Sequence, residues 1–318
     1  MLYEIIKSPE MVGEGISYKL ACKLFEESDV VDLVLAADKV RKKTRGKRID
    51  LCSIINAKSG RCVQDCKFCA QSIYHNTDIR EYPLLQPEEI LEFAGKMENE
   101  GAHRFSIVTS GKSINDSEFD MICETLQKLK NRTNLKLCAS LGVLDKKKLK
   151  KLANLGVRYH HNLETAKSHF NKICTTHSFH ERIETIKTAK KIGMDVCAGG
   201  ILGLGETFQQ RLEFAFTLKD LDVDSVPINI LNPIKGTRME NAKPLPPLEV
   251  IKTVAILRLI LPDKEIRYCG GREHNLRDLQ SLGILAGADG LMIGDYLTTS
   301  GRSPKEDIQM IKDLGFSV

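Results

Sequence analysis

Residues 50–69, DLCSIINAKSGRCVQDCKFC, run from an apolar, β-branched stretch directly into three closely spaced cysteines. The first part, 50–56, reads as a strand, and the same kind of run recurs at 104–109, 136–141, 158–162, 195–201, 225–229, 265–269 and 290–293. Between these runs lie stretches with apolar residues at helical spacing: 87–100, 116–130, 179–192, 206–218, 248–261 and 275–286. A last helix opens with Ser303-Pro304-Lys305-Glu306, which reads as a capping box with proline at the first helical position. Repeated strand-then-helix units imply a parallel sheet with right-handed crossovers. Eight units of about 30 residues predict an α/β fold, a closed (βα)8 TIM-type barrel over residues 50–318, behind an N-terminal helical extension over 1–49. Chemistry in such a barrel sits at the C-terminal ends of the strands and in the loops that follow.

Composition narrows the class. Ten cysteines in 318 residues are far too few for a disulfide-stapled scaffold, where they reach roughly 8–10%. A hydrophobic fraction of 42% with 28% charged residues excludes disorder and collagen-like repeats. The opening MLYEIIKSPEM carries two acidic residues where a secretory leader would keep an apolar core. No stretch approaches the roughly 18 uncharged apolar residues of a membrane span. A cytoplasmic location is the expectation, with no membrane partner. Thiols there stay reduced, so cysteines read as metal ligands or catalytic groups. The net charge is +5, and the one dense basic run, KVRKKTRGKR at 39–48, lacks interleaved aromatics or a binding module. It reads as a solvated basic helix end, with no nucleic-acid partner.

Cys62, Cys66 and Cys69 are spaced C-x3-C-x2-C after the first strand. Three thiolates converge on one centre if the loop wraps around it. Tetrahedral zinc usually takes four ligands, and none follows close in sequence, His75 being the nearest. A [4Fe-4S] cluster on three cysteines leaves one iron open, and this spacing resembles the radical S-adenosylmethionine (SAM) enzymes. A structural zinc knuckle is the alternative. Phe68 matches the aromatic that packs near the adenine in that superfamily. Cys52, Cys138, Cys197 and Cys269 fall in four predicted strands. Alone, each reads as a small buried hydrophobe; four at similar depth point to a site. Arg267 lies two residues before Cys269, so it shares its face and needs an electron-rich partner. Cys22, Cys123 and Cys174 read as packing residues. The GGILGLGE run at 199–206 does not follow G-x-G-x-x-G and reads as a SAM-facing turn after the fifth strand.

Over residues 53–313 the sequence resembles the biotin synthase family. The resemblance rests on NAKSGRCVQDCKFCAQS, YHHNLET, VCAGGILGLGET, SVPINIL and IRYCGGRE. It implies reductive cleavage of SAM to a 5′-deoxyadenosyl radical, hydrogen abstraction from dethiobiotin and sulfur insertion from an auxiliary iron–sulfur cluster. It assigns Cys62, Cys66 and Cys69 to the SAM-cleaving [4Fe-4S] cluster. Asn162 aligns with a residue bridging SAM ribose and substrate, and Glu164 with a family aspartate. Arg182 aligns with a contact to the SAM carboxylate, Asn229 with a contact to the ureido ring, and His161 with a histidine near the auxiliary cluster. His160 replaces an asparagine and reads as packing. The better-known branch of the family holds an auxiliary [2Fe-2S] cluster with three cysteines and one arginine. Cys138, Cys197 and Arg267 match three of those positions, but Ser106 stands at the fourth, while Cys52 and Cys269 replace serines. A neutral serine is a poor substitute for a thiolate on iron. The expectation is therefore a 4Fe-type auxiliary cluster on Cys52, Cys138, Cys197 and Cys269, with Arg267 beside it; [2Fe-2S] is the alternative. Further implied partners are an electron donor such as flavodoxin or ferredoxin, the iron–sulfur assembly machinery and a second copy in a homodimer. Rival readings are a barrel resembling the hydrogenase maturases or methylornithine synthase, and a non-catalytic metal-binding protein.

Overall fold

The computed structural model describes residues 13–318. The leader reading and the first part of the N-terminal extension lie outside the described residues. Nine strands form one parallel sheet: β1 (Asp50–Lys58), β2 (Arg104–Thr109), β3 (Lys136–Ser140), β4 (Arg158–His160), β5 (Val196–Cys197), β6 (Gly200–Leu202), β7 (Ser225–Ile230), β8 (Glu265–Tyr268) and β9 (Gly290–Met292). Strand β1 pairs with both β2 and β9, and β5 and β6 both pair with β7, so the sheet closes. Strands β5 and β6 are two halves of one barrel position, which makes eight positions in all.

The break in the fifth position, where one strand over 195–201 was expected, has a steric cause. A Cβ on Gly199 would lie 1.9 Å from the Pro227 carbonyl oxygen, and one on Gly200 would lie 2.4 Å from that of Glu164. The chain comes this close to its neighbours only where no side chain is in the way. Strand β4 stops at His160 rather than 162 because the next residues turn toward the same place. The Asn162 Oδ1 accepts from the Gly199 N–H at 3.1 Å, and Glu164 takes a left-handed φ of 69°.

Helices cover the barrel, and most follow the expected spans. Asn115, Ser178 and Thr207 cap three of them with their side chains. Two short helices, Lys146–Asn154 and Lys167–Ile173, were not anticipated. The single helix expected over 275–286 is instead Arg272–Leu276, a 3₁₀ turn Arg277–Leu279 and Gln280–Leu285. Arg277, at φ 50°, breaks it, and Gly283 lies against the Tyr268 ring, where a Cβ would meet the ring at 3.1 Å. The last helix, Pro304–Asp313, starts where expected but lacks the capping box. Glu306 lies 3.5 Å from Arg302 instead, and the Ser303 carbonyl accepts from the Glu306 and Asp307 amides.

Helix Pro247–Ile260 is apolar nearly all round because it is covered twice. One face meets the barrel and the other meets helices Tyr18–Glu27 and Val30–Arg45 of the N-terminal extension. The basic run at 39–48 therefore corrects its reading as a purely solvated end. Arg41 is fully buried, 2.6 Å from Asp38 and 4.2 Å over the Phe316 ring, and Arg45 meets Asp289 at 2.7 Å. These charges tie the extension to the barrel floor.

Candidate functional site

A cavity of about 380 Å³ opens at the C-terminal ends of the strands, and seven of the ten cysteines line it. Three come from the loop after β1. The Cys62 N–H donates to the Gln71 carbonyl at 2.9 Å, the Ile73 N–H returns to the Cys62 carbonyl at 2.9 Å, and the Cys69 N–H donates to the Cys66 carbonyl at 2.9 Å. The Ser72 hydroxyl ties down the Gln64 carbonyl at 2.6 Å. The loop is thus wrapped by its own backbone, with Cys62, Cys66 and Cys69 facing one space. Burial pushes the Cys69 thiol up to about 12.

Four more thiols ring the barrel interior below. Cys138 acts electrostatically on Cys52, Cys197 on Cys138, and both Cys52 and Cys197 on Cys269. They stand on or next to β1, β3, β5 and β8, every other position of the closed sheet. Burial pushes Cys52 up to about 12, Cys138 up to about 11 and Cys269 well up. Cys197 goes the other way: burial opposes its ionisation, but the His160 ring, Arg158 and Ser225 together outweigh it. Ser106 is the cross-strand partner of Cys138, so it stands beside the ring without supplying a thiolate.

Beneath the thiols lies a layer of buried charge. The Arg267 Nη2 lies 2.6 Å from Asp50 and also bonds Glu265, while Arg158 reaches Glu265 at 3.1 Å. Burial disfavours the Arg267 cation, yet Glu265, Cys52 and Asp50 raise its pKa well above the ordinary value. Glu265 is held below the usual carboxylate range because Arg267 and Arg158 outweigh its burial. The guanidinium is engaged by carboxylates and stays protonated, which suits a charge partner better than a metal ligand.

On the loop side, the Arg182 Nη1 donates to the Asn162 carbonyl at 2.7 Å and lies 3.6 Å from Glu164. The Asn162 amide reaches Glu164 at 3.4 Å. Phe68 lines the cavity over a small cluster of Ile173, Leu204 and Leu231. Asn229 accepts from the Gly270 N–H at 3.0 Å. His161 is buried with an unpartnered Nε2, and burial together with Arg182 keeps its pKa well below the ordinary value.

Two family models match: the radical SAM superfamily over residues 57–218, and the biotin and thiamin synthesis associated domain over residues 227–317. The chain is 55% identical to a biotin synthase of Carboxydothermus hydrogenoformans over 92% of this chain and 91% of that one. It is 52% identical to one of Pelotomaculum thermopropionicum over the full length of both. The chain belongs to the biotin synthase family. Solved structures of methylornithine synthase (TM-score 0.83, 22% identity, 100% of this chain and 97% of that one) and of the [FeFe]-hydrogenase maturase HydG (0.83, 17%, 99% and 74%) share its fold. At that identity they speak for the barrel alone.

The biotin synthase family implies an iron–sulfur cluster and SAM, and the residues present fit both. Seven soft thiol donors face one cavity in two groups, and the carboxylates near the lower group are already bound to arginines. Two readings from sequence change. His160 is not mere packing: it lines the cavity as the cross-strand partner of Cys197, whose charge raises the His160 pKa against burial. Cys174 is not mere packing either. Its Sγ lies 3.2 Å from Asp65 Oδ1 and 3.1 Å from His177 Nδ1, beside Cys66. Asp65 fixes that approach by accepting from the Thr175 and Thr176 amides at 2.8 and 3.2 Å. The missed signal was the Cys-x2-His spacing of Cys174 and His177.

Proposed function

We propose that this chain converts dethiobiotin to biotin by radical SAM sulfur insertion. The observation that carries the reading is the pairing of a three-cysteine loop with a four-cysteine ring in one cavity, in a chain alike over its whole length to named biotin synthases. The chemistry supplied at the site is reductive cleavage of SAM to a 5′-deoxyadenosyl radical at a [4Fe-4S] cluster, with sulfide donated from an auxiliary iron–sulfur cluster.

In this reading Cys62, Cys66 and Cys69 hold the first cluster, and Cys52, Cys138, Cys197 and Cys269 hold an auxiliary cluster of the 4Fe type. Arg182 binds the SAM carboxylate, a role supported by its link to Asn162 and Glu164 at the cavity wall. Phe68 packs on the adenine, Glu164 and Asn162 take the ribose, and Asn162 with Asn229 orients the substrate. Both asparagines are preorganised by backbone amides, Gly199 for Asn162 and Gly270 for Asn229. Arg267 offsets the thiolate charge from below, and His161 stays a neutral neighbour of the lower group. The barrel walls keep water from the reacting carbon. The chain works as one barrel domain, 50–318, preceded by the extension 1–49, whose helices Tyr18–Glu27 and Val30–Arg45 pack at its floor. A cytoplasmic homodimer, served by a flavodoxin- or ferredoxin-type reductant and by iron–sulfur assembly proteins, completes the proposal. Among the described residues, no helix is long and apolar enough to cross a membrane.

The test is anaerobic turnover with dethiobiotin and SAM, scored for biotin, on protein whose iron and sulfide are counted. About eight irons per chain supports the 4Fe-type auxiliary cluster, and about six overturns it. No biotin from fully loaded protein overturns the activity itself.

A further inference from the structure

Zinc is disfavoured in the sequence because C-x3-C-x2-C has no fourth ligand nearby. The fold supplies what the local sequence lacks. Cys66 in the loop after β1 faces Cys174-x2-His177, which follows helix Lys167–Ile173. The ligand atoms of Cys66, Cys174 and His177 lie within 4.8 Å of one another, and all three residues are buried. Sulfur donors on one tetrahedral zinc stand roughly 3.7 Å apart, given Zn–S bonds of about 2.3 Å. Cys174 Sγ and His177 Nδ1 are already 3.1 Å apart, so shifts of about an ångström or less bring the three to a common ion.

We infer that the chain without its SAM-cleaving cluster holds one borderline divalent cation, of the zinc or ferrous kind, on Cys66, Cys174 and His177. The same ion is excluded once Cys66 joins the cluster; this second part rests on the proposed assignment of Cys66. Two thiolates and an imidazole are a donor set suited to such ions. Binding involves no electron transfer: protons held by the two thiols leave to solvent. The ring of His177 must also change its proton. Its Nε2 now accepts from the Arg182 Nε at 3.0 Å, so Nδ1 carries hydrogen toward Gln64 Oε1 at 2.7 Å. A metal on Nδ1 moves that proton to Nε2, and Gln64 and Arg182 let go of the ring. Arg182 keeps the Asn162 carbonyl and Glu164 as partners. Asp65 gives up the Cys174 S–H donor when that thiol ionises, but it keeps the Thr175 and Thr176 amides and so still holds the two halves of the site together.

The test uses the full chain, stripped anaerobically of its clusters and titrated with Co²⁺ as a spectroscopic stand-in. The expected result is one Co²⁺ per chain with thiolate-to-cobalt charge-transfer absorption. Cys174→Ser and His177→Gln should each weaken it at least tenfold, while Cys62→Ser changes it less than twofold. The second variant keeps the test standing if the first fails to fold, which circular dichroism reports. Unchanged affinity in both variants, or an equal loss in Cys62→Ser, overturns the site. Cluster-loaded protein should take up no Co²⁺ here. If it binds one with its iron intact, and Cys174→Ser abolishes that binding, the mononuclear site stands and the assignment of Cys66 to the cluster falls.

Discussion

The two cysteine groups are built by opposite means. The loop group stands on eight residues of sequence, 62–69, and is wrapped by backbone hydrogen bonds within residues 59–75. The ring group has one cysteine on or next to each of four strand positions, and it exists only because the sheet closes. A local loop holds its thiols where solvent-borne reactants reach them, so it suits chemistry that exchanges SAM at every turnover. A ring inside the barrel is held by contacts among distant segments above a layer of buried charge, which suits a cluster kept from water.

This contrast can be broken most sharply by single thiols. Cys62→Ala should abolish 5′-deoxyadenosine formation, a loss of about a thousandfold or more, since only the three-cysteine cluster leaves an iron open to SAM. Cys269→Ala should instead strip about half the iron and all biotin formation while SAM cleavage stays detectable. Full iron content in that variant would overturn the ring assignment. Smaller effects should come from the charge layer. Arg267→Met leaves Asp50 and Glu265 partly unpaired in the interior and should cost about 3–5 kcal/mol in urea unfolding of the cluster-free chain.

The layer also sets an acid limb. The folded Glu265 carboxyl sits below its unfolded value of about 4.3, so its contribution is full above that pH and fades as pH falls toward the folded value. Glu265→Gln should flatten that part of the stability profile. An unchanged slope would place the acid sensitivity elsewhere. The smallest effect belongs to neither group: Asp29 caps helix Val30–Arg45 through a 2.7 Å bond to the Val31 amide. Asp29→Ala should cost about 1 kcal/mol, measured by thermal unfolding, with iron content unchanged.

The strands were legible because parallel barrel strands are short apolar runs between amphipathic helices, and β2 matches its expected span from Arg104 to Thr109. The errors fall where tertiary contact overrides local preference. Gly199 splits the fifth strand by pressing on the Pro227 carbonyl, Arg277 breaks a helix that periodicity ran together, and Glu306 prefers Arg302 to its cap. The three-cysteine loop was legible for the same reason the strands were, since its spacing is written in consecutive residues. The Cys-x2-His spacing of Cys174 and His177 is a local hint at ligation, but it carries no information about Cys66, which lies opposite across the fold.

The sequence by itself determined the alternation of elements, the eight-unit barrel, the loop spacing and the family motifs. All of these depend on periodicity and on neighbours a few residues away. Only the tertiary structure decided that Arg267 is bound by Asp50, that His160 stands beside Cys197, and that Cys174 and His177 stand against Cys66. Those contacts join segments far apart in the chain, and closure of the sheet, rather than any local preference, brings them within bonding distance.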